Sequence, residues 1–239
     1  MLISKWFIFV LLGFILFLLI YYKVKIKFKT FFRRGFPAVR GNFGLYCYTG
    51  SQGSGKTYSI VEYLIDNKNK SVYFGNIAGI SGIEYELING FNGLIDLKHR
   101  LDDGTIIIPK GKQIVIFYDE LFTELQKYSK LNSEVMDFLC QMRKRKIIFL
   151  TTCQYWAELP ITFRRFCRYE IDCKMINLGF ISILWKKFKD GENMKWSEID
   201  QDFVAPLVSN TITKTRKYIA DSYDTFLRIS PVSDFSSKI

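Results

Sequence analysis

Three kinds of apolar pattern alternate along this chain. The first is an uninterrupted run from Trp6 to Tyr22 that carries no charged residue. As a helix rising about 1.5 Å per residue it would be roughly 25 Å long, near the lower limit for crossing a bilayer. Trp6, Tyr21 and Tyr22 stand at its two ends, where aromatic side chains favour the membrane–water interface. The second kind is a set of short runs at Leu45–Tyr48, Ser71–Phe74, Ile114–Tyr118, Ile147–Thr152 and Tyr169–Cys173. A continuous apolar run such as Ile114–Tyr118 reads as a strand buried on both faces, and Tyr169–Cys173, interrupted by Glu170 and Asp172, is a fifth strand candidate. The third has helical spacing: Ile60, Val61 and Leu64 share one side of a helix over Thr57 to Ile65, and a further helical stretch begins near Asn132.

Strands alternating with helices predict an α/β fold around a mostly parallel central sheet. From Gly179 onward, alternating apolar and charged residues predict a few extra strands or a hairpin. The run Phe180–Trp185 is too short for a second membrane span. The chain thus divides into an N-terminal transmembrane helix over 1–22, a basic linker over 23–41, a folded domain over 42–229 and a polar tail over 230–239.

Charge sharpens the reading of the first segment. The chain carries a net charge of +11, from 34 basic and 23 acidic residues. Nine of the basic residues precede the first acid, Glu62, so the remainder is nearly balanced at 25 against 23. The excess sits beside an apolar run, as Lys23, Lys25, Lys27, Lys29, Arg33, Arg34 and Arg40. That is a membrane flank first and a nucleic-acid signal second. A cleaved signal peptide would need a basic lead-in and a small-residue cleavage site, whereas only Lys5 precedes the run and bulky and basic residues follow it. By the positive-inside rule the basic flank and the folded domain are cytoplasmic or internal. The five cysteines have no CxxC spacing and read as buried, reduced thiols. His99 is the single histidine, which speaks against histidine zinc sites and Ser-His-Asp chemistry.

The chemistry concentrates after the strand Leu45–Tyr48. Gly50, Ser51, Gln52, Gly53, Ser54, Gly55, Lys56 and Thr57 spell G-x-x-x-x-G-K-T. Glycines allow a tight loop whose backbone N–H groups point at phosphate oxygens, and the next helix turns its N-terminus to the same anion. Lys56 would reach the β- and γ-phosphates, and Thr57 would hold Mg²⁺. Ile114–Tyr118 ends in Asp119 and Glu120, which places Asp119 to bind Mg²⁺, directly or through water, and Glu120 to polarise an attacking water. Ile147–Thr152 ends near Gln154. Gln154 either bonds the lytic water and senses the γ-phosphate, or is a surface residue in a turn. Arg143, Lys144, Arg145 and Lys146 either cap a helix through its dipole or contact a phosphate, in a neighbouring subunit's nucleotide or in a nucleic-acid backbone.

This order of motifs, with Leu159-Pro160 and Arg164 following, resembles the small FtsK/HerA-type P-loop ATPases of viruses, within the broader RecA-like P-loop NTPases. These include the genome-packaging ATPases of tailless, membrane-containing phages and the Zot-like assembly ATPases of filamentous phages. The likeness covers roughly residues 43 to 175, and Cys153 departs from the Thr that often stands directly before the Gln. It implies ATP and Mg²⁺ as ligands and a homo-oligomeric ring, often a hexamer. It also implies an arginine donated between subunits, matched best by Arg143 and Arg164 and less well by Arg145. The implied activity is translocation or packaging of viral DNA at a host or virion membrane. The alternative is virion extrusion by engaging capsid or coat proteins. A P-loop kinase would need an arginine-rich lid, and a GTPase an Asn/Thr-Lys-x-Asp motif that the chain lacks.

Overall fold

A computed structural model describes residues 9–14, 43–121, 133–179 and 181–224. Its strands are β1 (Gly44–Thr49), β2 (Ser71–Gly75), β3 (Tyr85–Leu87), β4 (Gln113–Tyr118), β5 (Ile147–Thr152), β6 (Cys167–Asn177), β7 (Ser182–Asp190), β8 (Lys195–Ser197), β9 (Asp202–Val204) and β10 (Leu207–Lys214). Five helices accompany them: α1 (Lys56–Asp66), α2 (Gly90–Asp102), α3 (Ser133–Gln141), α4 (Ile161–Arg164) and α5 (Lys217–Ala220).

Eight strands form one sheet in the order β10-β7-β6-β1-β5-β4-β2-β3. From β6 to β3 every pairing is parallel, and β7 and β10 extend the β6 edge antiparallel. The expected mostly parallel α/β sheet is therefore present, and the segment after Gly179 supplies its antiparallel extension. The strand β5 lies between β1 and β4, so the three chemistry-bearing strand ends are neighbours. β8 and β9 pair as a separate two-stranded ribbon.

Strand alternation divides the core in two. On one face Leu45, Cys47, Ile114, Ile116, Ile147 and Phe149 pack under α2 and α3 through Phe91, Leu94, Leu97, Val135 and Phe138. On the other, Tyr46, Tyr48, Val115, Phe117, Ile148 and Leu150 pack with Ile60, Val61 and Leu64 of α1. A strand covered by helices on both faces has no solvent side, and β1 and β5 are accordingly buried at every position. The helix α2, which was not anticipated, places Phe91, Leu94 and Leu97 at three-residue intervals on its buried side.

Four of the five cysteines are buried as expected, whereas Cys140 is exposed on α3. Residues 9–14 are helical, with Phe9, Val10, Leu11, Leu12 and Phe14 all exposed. No helix among the described residues is long and apolar enough to cross a membrane. The rest of the 1–22 segment, the 23–41 linker, Asn132 and the 230–239 tail lie outside the described residues.

Candidate functional site

In parallel strands the carboxyl ends all point one way, and ligand crevices open there. β1 delivers Thr49 and Gly50 to that end. Thr49 is buried and donates to Glu170 Oε1 on β6 at 3.2 Å, and Lys189 Nζ holds the same carboxylate oxygen at 2.7 Å. Burial raises the Glu170 pKa, and the Lys189 ammonium lowers it in opposition. The amide of Gly50 then donates to the Gln154 carbonyl at 3.1 Å, closing the loop onto the end of β5.

The loop needs its glycines. Gly50 and Gly55 have φ of 135° and 88°, in the region that side chains rarely adopt. A Cβ on Gly50 would lie 2.6 Å from the Cys173 carbonyl, and one on Gly55 2.7 Å from Met175 Cε. Gly55 also caps α1 without a side-chain hydrogen bond, and the first turn of α1 holds no acid. Its first amides are therefore left to an anion. Lys56 Nζ reaches back across the loop to the Gly50 and Ser51 carbonyls at 2.8 and 2.9 Å. The Ser54 hydroxyl is buried beside them with no protein partner among the described residues.

The metal side of the site is assembled from three strand ends and the first turn of α1. Thr57 Oγ1 donates to Asp119 Oδ2 at 3.0 Å, and Thr152 Oγ1 donates to Asp119 Oδ1 at 2.5 Å. Asn76, just beyond β2, clasps the Asp119 backbone: its amide donates to the Asp119 carbonyl at 2.9 Å and its carbonyl accepts the Asp119 N–H at 2.6 Å. Glu120 is exposed with φ of 54°, and its N–H donates to Thr152 Oγ1 at 2.8 Å. A bulky residue in the left-handed region is strained, and such strain gathers at functional sites.

This donor set fits the hard cation that the motif implies. Mg²⁺ takes few protein oxygens and completes its shell with water and substrate phosphate. One hydroxyl and one carboxylate stand together here, beside a phosphate-sized cradle. Among the described residues there is no cluster of three acids, histidines or cysteines. A cleft of about 350 Å³ opens on the other flank of the loop, between Gly50–Ser54 and the Asp172, Lys174, Trp185 and Lys187 positions of β6 and β7.

The structure therefore brings together Gly50 to Thr57, Asp119, Glu120 and Gln154. Cys153 is buried and donates its N–H to the Tyr48 carbonyl at 3.0 Å, so Gln154 is the first exposed residue after β5. The structure does not bring Arg143, Arg145 or Arg164 to this site. Arg143 and Arg145 lead into the start of β5 and Arg164 into the start of β6, at the opposite end of the sheet. A six-residue strand separates those ends by roughly 20 Å.

Two arginines of the 143–146 cluster are paired within the domain. Arg145 pairs with Asp102 and with Gln141, bracing the end of α3 against α2, and Arg143 pairs with Glu192. Arg164 is 6% exposed, bidentate to Asp202 at 2.8 and 3.0 Å, and bonded to the Phe203 carbonyl. Its guanidinium fastens the β8–β9 ribbon to the domain. Asn76 and Thr152 were given no role from sequence. The available signal was their position as polar residues at the carboxyl ends of buried strands.

No protein-family model and no curated protein matches the chain. Solved structures do. The N-terminal domain of zonular occludens toxin from Neisseria meningitidis is 17% identical, with a TM-score of 0.47, covering 76% of this chain and 98% of its own. B204, the DNA-packaging ATPase of Sulfolobus turreted icosahedral virus, is 15% identical at a TM-score of 0.42, covering 56% of this chain and 76% of its own. The genome-packaging NTPase B204 of Sulfolobus turreted icosahedral virus 2, in complex with ATP-gammaS, is 12% identical at 0.44, covering 69% and 98%.

Proposed function

We propose that this protein is a membrane-anchored ATPase motor that hydrolyses ATP to translocate viral DNA. One observation carries the hydrolytic part. The Asp119 carboxylate is held between the Thr57 hydroxyl of the phosphate loop and the Thr152 hydroxyl of the intervening strand, with Glu120 next along the chain. The loop and α1 N-terminus would take the phosphates, and Lys56 would turn from the loop carbonyls to the β- and γ-oxygens. Thr57 and Asp119 would hold Mg²⁺, which would supply positive charge to offset that of the phosphates. Glu120 is exposed on the same rim, just past the end of β4, and is the candidate to take the proton of an attacking water. Gln154, two residues beyond Thr152 and exposed after β5, is the candidate to orient that water. The nucleoside would leave the loop on the flank away from these acids, into the cleft bordered by Trp185 and Lys187.

Arg143 and Arg164 lie at the far end of the sheet from the chain's own loop and pair with Glu192 and Asp202, so neither serves that loop. A homo-oligomeric ring, with a hexamer as its reading, rests on the resemblance of the motifs. The anchor is the apolar run Trp6–Tyr22, and the domain sits on the cytoplasmic or internal side.

The deciding experiment measures ATP turnover by the full chain in detergent or vesicles, with and without double-stranded DNA. Several-fold stimulation by DNA is the expected result. ATPase activity indifferent to DNA and dependent on coat protein would replace translocation by virion extrusion. Absence of any nucleotide turnover would overturn both.

A further inference from the structure

We propose that the end of the sheet where the parallel strands begin is a docking face for anionic lipid headgroups, which holds the domain against its own membrane. This rests on the anchored reading above. Four returns of the chain into the parallel sheet pass through cations: Lys68 and Lys70 before β2, Lys110 and Lys112 before β4, Arg143–Lys146 before β5, and Arg165 before β6; the edge strand β3 is entered through Glu84 instead. These strands are adjacent and parallel in the order β6-β1-β5-β4-β2. Their lead-in turns therefore line up along one end, opposite the phosphate loop. Five strands at about 4.8 Å spacing spread that row over roughly 20 Å. The turns adjoin, since the Gln113 N–H donates to the Lys70 carbonyl at 2.9 Å.

The charge on this face is not internally spent. Lys68, Lys70, Lys110, Lys112, Lys144 and Lys146 are exposed, and among the described residues none of them forms an ion pair. Arg165 is exposed in the same way. Most acids nearby are taken up by other cations: Asp66 by Arg216, Asp102 by Lys98 and Arg145, Glu192 by Arg143 and Asp202 by Arg164; Glu84, at the edge strand β3, is exposed outside the row of lysines. Asp103, at the end of α2, is turned to the Thr105 N–H at 2.9 Å.

The second observation is where the chain enters. β1 lies inside the cationic row and begins at the same end, and the carbonyl of Phe43 just before it accepts Arg168 Nη1 at 2.8 Å. The apolar run Trp6–Tyr22 and the basic residues after it join the domain there, through residues 23–42. Twenty residues extend to at most about 70 Å, so the face stays within reach of the bilayer. A tether emerging from a cationic face turns that face toward the membrane, where an anionic leaflet attracts each nearby lysine or arginine. The phosphate loop is thereby turned away, toward soluble nucleotide. DNA phosphates would satisfy the same lysines, but the tether favours lipid.

The test uses the full chain in vesicles of phosphatidylcholine alone or of phosphatidylcholine with phosphatidylserine. Lysine acetylation rates are read by mass spectrometry. Lys68, Lys70, Lys110 and Lys112 should react several-fold more slowly in the anionic vesicles, and high salt should remove the difference by screening. Lys174 and Lys214, at the loop end, should react equally in both. A variant with Lys68, Lys70, Lys110 and Lys112 all replaced by Glu should lose the protection at Lys144 and Lys146 while keeping its ATPase rate. Should that variant not fold, the lipid comparison on the unaltered chain decides alone. Equal rates in both vesicles remove the docking face. Protection in neutral vesicles on adding double-stranded DNA, without an effect of phosphatidylserine, replaces lipid by nucleic acid. A chain that does not float with neutral vesicles removes the anchor and the face with it, a result distinct from floating with equal rates.

Discussion

Thr152 donates its hydroxyl to Asp119 at 2.5 Å and with the same oxygen accepts the Glu120 N–H at 2.8 Å. One side chain on β5 thus sets the directions of both acids at the end of β4. Thr152→Val keeps the shape and removes both bonds. Hydrogen bonds to a charged group contribute about 1.5–3 kcal/mol, so turnover should fall on the order of tenfold to a hundredfold. Nucleotide affinity, set mainly by the loop, should change much less. Steady-state kinetics with separate binding measurements check this, and an unchanged kcat refutes the role given to Thr152.

Lys56 and Glu120 should separate binding from chemistry. Lys56→Ala removes the ammonium that spans the loop carbonyls at 2.8 and 2.9 Å and should abolish nucleotide binding. Glu120→Gln should bind ATP and not turn it over, because an amide cannot take the proton. Equal hydrolysis by the Gln variant would remove that carboxylate from the mechanism.

The two loop glycines with φ of 75° and 88°, Gly53 and Gly55, make a matched pair. A Cβ at Gly53 meets nothing within 4 Å, whereas one at Gly55 meets Met175 and Leu184 at 2.7 and 2.8 Å. Gly53→Ala should cost only the backbone term of about 1–2 kcal/mol. Gly55→Ala should cost more and weaken nucleotide binding, since its strain falls at the first turn of α1. Thermal unfolding and nucleotide titration of both variants provide the check.

Glu62 on the phosphate-loop helix is 3% exposed and pairs with Lys186 at 3.2 Å and Arg216 at 3.1 Å. Glu62→Gln leaves two cations without their shared acid. Breaking a buried pair from one side costs about 3–5 kcal/mol, or roughly 10 °C in Tm for a domain of this size. A shift of less than a few degrees would show that the network is not a stabilising one.

Acid should loosen the β8–β9 ribbon first. The hydrogen bonds from Arg164 hold the Asp202 carboxyl below the usual carboxylate range. A depressed folded pKa stabilises above the unfolded value, near 3.9, and that contribution is lost as pH falls through the folded one. Amide exchange in the ribbon should therefore rise below about pH 4. In Asp202→Asn it should already be raised at neutral pH, with a flatter acid dependence.

The parts legible in the sequence are those that local chemistry determines alone. Eight contiguous residues from Gly50 to Thr57 carry their own reason for being a phosphate loop, because turn geometry and amide direction are local properties. The central strands were legible because a strand covered on both faces is apolar along most of its length, as Ile114–Phe117 and Ile147–Leu150 are. The charge-free run Trp6–Tyr22 is likewise a property of consecutive residues.

What only the tertiary structure decided depends on which strands become neighbours. The placement of β5 between β1 and β4 makes Thr152 the link between Asp119 and Glu120, and the pairing of β2 with β4 brings Asn76 to the Asp119 backbone across 43 residues. It also separated Arg143 and Arg164 from the chain's own loop, because both lead into strand starts while the loop follows a strand end. The cationic row is a further product of topology. Lys68, Lys110 and Lys144 are scattered along the sequence, and only parallel strands in adjacent positions gather their lead-in turns at one end of the sheet.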